Sequence, residues 1–393
     1  MNKEILNTGI QLFINNNLNT DISSLLLKGS DFKDVGTKEI AEQIEAKKRS
    51  EKKLPSWFTT EGIYYPNKLN IEQTSSEKTA AYKASLIEGK RILDLTGGFG
   101  VDSFYFANRF DEVHHCEINK NLSEIVSHNF SVMNKKNIIT FAENGLDYLK
   151  KSNLHFDCIF VDPARRDDRK NKVFFLQDCT PDILEILPFL FSKTNCVMVK
   201  TSPLLDIKKG LEDLKNVNAV HVVAVNNEVK ELLWLLYSDK IHSPAIHTIN
   251  IKRETQELFR FDLIEETTAK SNFSLPQNYL YEPNSAILKS GGFNVLSEKL
   301  KLNKLHAHTH LYTSAEKMEF PGRRFEILKT VPYNKKLLKK ELTEGKANIT
   351  TRNFPETVSQ IRKKTKIKEG GNLYLFFCTD SNNEKKVIFC KKI

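Results

Sequence analysis

RILDLTGGFGVDS, residues 91–103, is the stretch on which the fold turns. An apolar run ends on Asp94 and gives way to a cluster of Gly97, Gly98 and Gly100. A strand stopping at such a cluster predicts strand, tight turn, helix. Backbone in that turn can approach a ligand closely, because glycine has no Cβ to stand in the way. The pattern alone does not say which ligand.

Working outward, the chain keeps one rhythm on both sides of this loop. Upstream, EQTSSEKTAAYKASLI carries Thr74 and Glu77 at capping-box spacing, so a helix delivers the chain to the strand RILDL. Further back, TDISSLLLKG and GTKEIAEQIEAKKRSEKK read as helices, the second running to Pro55. Downstream, the strands DEVHHCEI, NIITFAE, FDCIFVDP and NCVMVKTSP alternate with helices at KNLSEIVSHNFSVM, GLDYLKKS and CTPDILEILPFLF. Short apolar strands alternating with helices predict an α/β domain with a Rossmann-like, mostly parallel sheet wrapped on both faces. AVHVVAVNNEVKELLWLLYS and AIHTINIKRETQELFRFDL read as strand pairs finishing that sheet. Four parts are expected: a helical N-terminal region at 1–76, the nucleotide-binding domain at 77–270, and two small α+β domains at 271–320 and 321–393. The last reads strand, helix, strand, helix, then a hairpin.

A chain of 393 residues with 40% hydrophobic and 27% charged residues fits a soluble multidomain protein. No apolar run approaches the ~20 residues of a membrane span. The start shows no signal-peptide pattern, and a cytoplasmic protein is expected. Six scattered cysteines without a CxxC argue for buried, reduced thiols rather than a disulfide frame or a zinc site. Charge is uneven. Residues 321–393 hold 18 Lys and Arg against 7 Asp and Glu, while the rest holds 41 against 42. The net +10 therefore belongs to the C-terminal part. A basic module on a neutral body fits a polyanion, and a solvated lysine-rich surface is the alternative.

Ligands of an open α/β sheet bind at the carboxyl ends of its strands. Four such ends carry polar residues: Asp94 with Thr96, Gly98, Gly100 and Asp102; Glu117; Asn144; and Asp162-Pro163-Ala164-Arg165. Glu117 stands where a ribose diol needs a bidentate acceptor, and Asn144 can hydrogen-bond an adenine edge. A dinucleotide fingerprint is met imperfectly by Gly98-x-Gly100-x-x-Ser103. A nicotinamide cofactor employs that loop and Glu117 but leaves Asn144 and Asp162 idle. S-adenosylmethionine (SAM) employs all four ends. Asp162-Pro163 lacks the second proline and the aromatic common in amino-group methyltransferases, which puts an exocyclic amine in doubt. No cysteine closes the next strand, Lys200-Thr201-Ser202-Pro203, which disfavours carbon methylation through a thiolate. A nitrogen acceptor is expected, with Asp162 as hydrogen-bond acceptor or weak base, and Arg165, Arg166 and Arg169 available to a phosphate. His306, His308 and His310 form the rival constellation, expected on one face of a strand, but lacking an evident fourth ligand. No metal is expected.

LDLTGGFGVDS, VDPARR and EQTSSEKTAAYKASL together resemble a bacterial group of class I SAM-dependent methyltransferases. YLYEPNSAILKSGGF and HTHLYTS are similar to that group's ferredoxin-like middle domain, and FPGRRFEI to the opening of its THUMP-like C-terminal domain. The resemblance implies that Asp94, Gly98 and Gly100 contact the methionine and ribose parts of SAM, Glu117 the ribose hydroxyls and Asn144 the adenine. It also implies a structured RNA, tRNA or rRNA, as partner. The expected function is methylation of a base nitrogen in such RNA, with Asp162, Pro163 and Arg165 on the acceptor side. The alternatives are an RNA-binding or assembly protein that has lost catalysis, and a nicotinamide oxidoreductase.

Overall fold

A computed structural model of the chain describes residues 1–165, 175–239, 243–334, 338, 341 and 345–393. The chain forms two compact units, Met1–Asn218 with Glu231–Ile241, and Ala219–Lys230 with His242–Ile393. The division falls inside the stretch 77–270.

The first unit opens with helices Thr8–Asn16, Ile22–Lys28, Thr37–Lys53, Pro55–Thr59, Lys68–Gln73 and Glu77–Ala84. Their apolar faces (Ile10, Ile14, Ile40, Ile44 and Trp57) pack into one core with Val126 and Phe130 of the helix Lys120–Val132. The helix before the first strand starts two residues later than the capping-box pattern suggests. Thr74 closes the preceding helix, and Ser76 caps the new one through the N–H of Thr79.

Strands follow in chain order: β1 (Gly89–Asp94), β2 (Phe110–Cys116), β3 (Ile138–Phe141), β4 (Cys158–Val161), the short pair β5 (Ala164–Arg165) and β6 (Cys179–Thr180), and β7 (Cys196–Thr201). β8 (Val217–Val225) lies almost wholly in the second unit, and β9 (Glu228–Tyr237) mostly in the first. Within the first unit the sheet order is β9–β7–β4–β1–β2–β3. β7, β4, β1, β2 and β3 run parallel; β9 is antiparallel to β7. Strand order reverses between β1 and β4, where an open α/β sheet leaves a crevice at its carboxyl ends. The central strands β4 and β7 and the second half of β1 are buried, as at Ile92, Leu93, Ile159 and Val197, which is why they read as continuous apolar runs, while the edge strand β3 is partly exposed.

In the second unit, β10 (Ala245–Ile251) runs parallel to β8 and antiparallel to β11 (Gln256–Asp262). The chain continues as β12 (Tyr279–Pro283), helices Ser285–Ser290 and Phe293–Leu300, β13 (Asn303–Lys304), β14 (Tyr312–Ser314) and β15 (Gly322–Pro332). It ends with β16 (Asn348–Arg352), helix Val358–Thr365, β17 (Leu373–Thr379) and β18 (Lys385–Lys392). The order β13–β14–β12–β15–β18–β17–β16 makes one seven-stranded sheet of the two small modules, joined where Leu280 of β12 faces Phe325 of β15. The expected helix KKLLKKEL falls largely outside the described residues.

KLHAHTHLYTS is not a continuous strand: residues 305–311 turn between β13 and β14, and His310 has φ of 50°. His306 hydrogen-bonds Asn383 and Asn353, while His310 stacks on Phe293. The three imidazoles therefore do not share a strand face. Alternation of small and large residues mimicked a strand, but Thr309, fully buried and bonded to the Thr379 carbonyl, pulls the segment into a turn.

Candidate active site

The three glycines after β1 have three different reasons to be glycine. A Cβ on Gly97 would lie 2.2 Å from Nε2 of His115, whose ring is fully buried beneath the loop. A Cβ on Gly100 would lie 2.5 Å from Phe130, and its φ is 79°. Both are set by packing against β2 and the helix behind it. Gly98 has φ of 55° and nothing nearer than the Thr96 carbonyl at 4.0 Å, so its open side is free for a ligand. Its N–H donates to Oε2 of Glu117 at 3.0 Å. The other oxygen of Glu117 accepts from the N–H of Asn119 at 2.7 Å. Two backbone donors thus fix this carboxylate at the end of β2, with a lone pair left on each oxygen.

Asn144 and Asp94 are also engaged. Asn144 caps the helix Gly145–Lys151, its Oδ1 accepting from Leu146 and Asp147 and its amide NH2 left for a ligand. Gly145 beside it lies against the carbonyl of Leu95, which ties this turn to the glycine loop. Asp94 is 1% exposed and accepts from the Ser103 hydroxyl at 2.6 Å and from the Thr96 N–H at 3.3 Å. Burial pushes its carboxyl up to about 7; the Ser103 bond opposes the rise, and the neighbouring Asp102 and Asp162 add to it. Burial likewise pushes His115 down to about 4, which leaves its ring neutral at neutral pH.

On the far side of β1, the N–H of Asp162 donates to the Thr96 hydroxyl at 2.7 Å, and the N–H of Leu95 to the Phe160 carbonyl. The cofactor loop and the Asp162-Pro163 turn are therefore stitched together at their backbones. The Asp162 side chain meets Lys200, the penultimate residue of β7, which donates to Oδ2. Burial depresses the Lys200 ammonium, but Asp162, Glu231 and Asp102 outweigh it and hold the group well above its ordinary value. Deeper in, Lys83 is fully buried between Glu231 at 2.6 Å and Asp102 at 3.2 Å. Asp102 also accepts from Ser75 at 2.7 Å. Both oxygens of Asp102 are thus spent on the helix Glu77–Ala84 and the segment before it, so it serves the loop from behind.

The structure brings Asp94, Thr96, Gly98, Gly100, Glu117, Asn144, Asp162 and Pro163 to adjoining carboxyl ends of β1, β2, β3 and β4. Arg165 is described only through its backbone pairing with Cys179, and Arg166 and Arg169 lie outside the described residues. Sequence reasoning missed Lys200, Lys83, Glu231 and His115. The run EQTSSEKTAAYK did contain Ser75 and Lys83, but their partners lie 27 and 148 residues away. All six cysteines are buried. Among the described residues no cluster of His, Cys, Asp or Glu could hold a metal, and no helix is long and apolar enough to cross a membrane.

Three family models match the chain: an RNA cap guanine-N2 methyltransferase over 89–185, a ferredoxin-like domain over 279–321 and a THUMP domain-like model over 322–392. A crystal structure from Porphyromonas gingivalis W83, provisionally assigned as a methyltransferase, is 32% identical, with 99% of this chain and 98% of that one covered and a TM-score of 0.90. TrmK of M. capricolum with S-adenosylhomocysteine is 17% identical over 46% of this chain and 71% of that one, with a TM-score of 0.33; that partial likeness carries no weight for the chemistry. No curated protein matches the chain.

Proposed function

Because the chain belongs to the bacterial class I methyltransferases that carry a ferredoxin-like middle domain and a THUMP-like C-terminal domain, we propose that it transfers a methyl group from SAM to a base nitrogen in structured RNA, tRNA or rRNA. One observation carries the reading: the open side of Gly98, the anchored carboxylate of Glu117 and the Asp162-Pro163 turn adjoin at the point where strand order reverses.

The residues fit the cofactor. Glu117 keeps acceptor capacity for a ribose diol, the bare Cα of Gly98 admits the ligand's approach, and the amide NH2 of Asn144 is available to an adenine ring nitrogen. When bound, SAM supplies an electrophilic methyl on a sulfonium. Asp94, Thr96, Gly100 and Asp102 hold the loop in shape. Asp162 accepts a hydrogen bond from the acceptor nitrogen through the oxygen that Lys200 does not take, and Pro163 stiffens the turn. Methyl transfer needs little more from the protein than alignment and exclusion of water.

The domain limits 77–270 for the cofactor and 321–393 for RNA complete the proposal. In the C-terminal part, Lys363, Lys366 and Lys368 are exposed at and beyond the end of helix Val358–Thr365. Exposed Lys346 forms a backbone bridge with Lys368. A cluster of cations with few acidic partners suits a phosphate backbone. The experiment that tests the reading is mass spectrometry of RNA nucleosides from cells with and without the gene. One methylated nucleoside missing from the tRNA or rRNA of the deletion strain is expected; identical nucleoside profiles would refute it.

A further inference from the structure

Lys200 was selected by no motif, yet it is the group that grips Asp162. Val199 pairs with Val161, so the next residue on β7 stands beside the next residue on β4. Its ammonium donates to Oδ2 of Asp162, while 14% of the Lys200 side chain and 35% of the Asp162 side chain are exposed. The Asp162 backbone is held independently, through its N–H on the Thr96 hydroxyl. With the backbone fixed from one side and Oδ2 from the other, the carboxylate has one orientation. No group among the described residues reaches Oδ1.

Lys200 is itself held in place. Glu231 and Asp102 lie close enough to stabilise its charge, and both are fixed by the fully buried Lys83. A lysine in water has about 2 kcal/mol of rotamer entropy to lose on being fixed. Here Asp162 holds it, and the charges of Glu231 and Asp102 favour that placement whether or not an acceptor is present. As a stabilising device the pair has little to recommend it, because partly buried ion pairs are often no better than well-packed apolar residues. As an orienting device, next to a loop that admits a cofactor, it has a clear use.

We propose that Lys200 is a positioning residue for methyl transfer, taking one oxygen of the Asp162 carboxylate so that the other is presented to the acceptor nitrogen. The proposal rests on the reading of Asp162 as the acceptor-side group, and it adds the residue that aims it.

The test uses the full chain with Lys200→Met, which keeps length and removes charge, and Lys200→Arg, which restores a cation. Three quantities are compared with wild type: SAM affinity by calorimetry, the orientation of the Asp162 carboxylate in crystal structures with SAM bound, and transfer of labelled methyl from SAM into RNA extracted from a strain lacking the gene. Lys200→Met should bind SAM within about threefold of wild type, because no cofactor contact is removed. Its Asp162 carboxylate should leave the wild-type rotamer while the backbone, held by Thr96, stays in place. Transfer should fall about 10²-fold in kcat with KM for RNA little changed, the size of loss that follows misplacement of a reacting group. Lys200→Arg should recover part of both. An unmoved carboxylate overturns the proposal, and so does a turned carboxylate with wild-type transfer, which would reduce the pair to a structural contact. If wild type methylates no RNA, the proposed function falls, and the crystal structures still decide whether Lys200 aims Asp162.

Discussion

On the cofactor side of the cleft, Glu117 is met by the backbone N–H groups of Gly98 and Asn119, and Asn144 spends its Oδ1 on the first turn of its own helix. On the acceptor side, Asp162 is met by the side chain of Lys200, which is 38 residues away and answers in turn to Glu231 and Asp102. The first side is built from backbone, within a few residues of each strand end. The second is built from a ladder of charged side chains that reaches across the sheet. A cofactor of constant shape suits the rigid arrangement. Aiming a single carboxylate suits the adjustable one.

The largest effect should come from the loop that divides the two sides. Gly97→Ala would drive a methyl into the buried His115 ring, so it should cost about 1–3 kcal/mol of stability from overpacking and lower Tm clearly. Gly98→Ala meets no neighbour within 3.9 Å; its left-handed strain should lower Tm by only a few degrees, while the lost open face should cut SAM affinity roughly 5–30-fold, by about 1–2 kcal/mol. Thermal unfolding and calorimetry on both variants separate packing from binding. If the two behave alike, the distinct reasons assigned to these glycines are wrong.

A comparable effect on affinity is expected at Glu117. Glu117→Gln keeps one oxygen but sets an NH2 against a backbone N–H, Gly98 or Asn119, that the carboxylate now serves. Hydrogen bonds to a charged group are worth about 1.5–3 kcal/mol, so SAM affinity should drop roughly 10–100-fold in calorimetry. Wild-type affinity in this variant would remove Glu117 from the cofactor side.

The smallest effect is a slope. Asp94 is held at about 7, above its ordinary 3.8. Between those values the folded state keeps a proton that the unfolded state has released. Its stabilising contribution is therefore complete below the ordinary value and declines as pH rises towards 7, by at most about 1.4 kcal/mol per pH unit. Asp94→Asn has no such proton to lose, so between pH 5 and 8 the Tm of the variant should gain on that of wild type. Parallel Tm curves would show that Asp94 titrates normally and that its burial does not shift it.

The same contrast explains what could be read from the sequence. Strand ends, the glycine loop and Glu117 were legible because apolar runs and their terminal residues are local patterns. The parallel sheet and the roles of Asp94, Glu117 and Asp162 as strand-end groups emerged together from that rhythm. Lys200, Lys83 and Glu231 were not legible, since a buried lysine looks like any other until its distant carboxylate is found. His115 was hidden for the same reason: only the packing shows that its ring occupies the space a side chain at 97 would need. The histidines of KLHAHTHLYTS misled because alternation was read as a strand where buried Thr309 makes a turn.

The claim at the centre is that the crevice between β1 and β4 holds SAM, and calorimetric titration of the full chain tests it most directly. Saturable one-to-one binding of SAM, weakened in Glu117→Gln, with no binding of NAD is the predicted result. Binding of NAD without binding of SAM would contradict it.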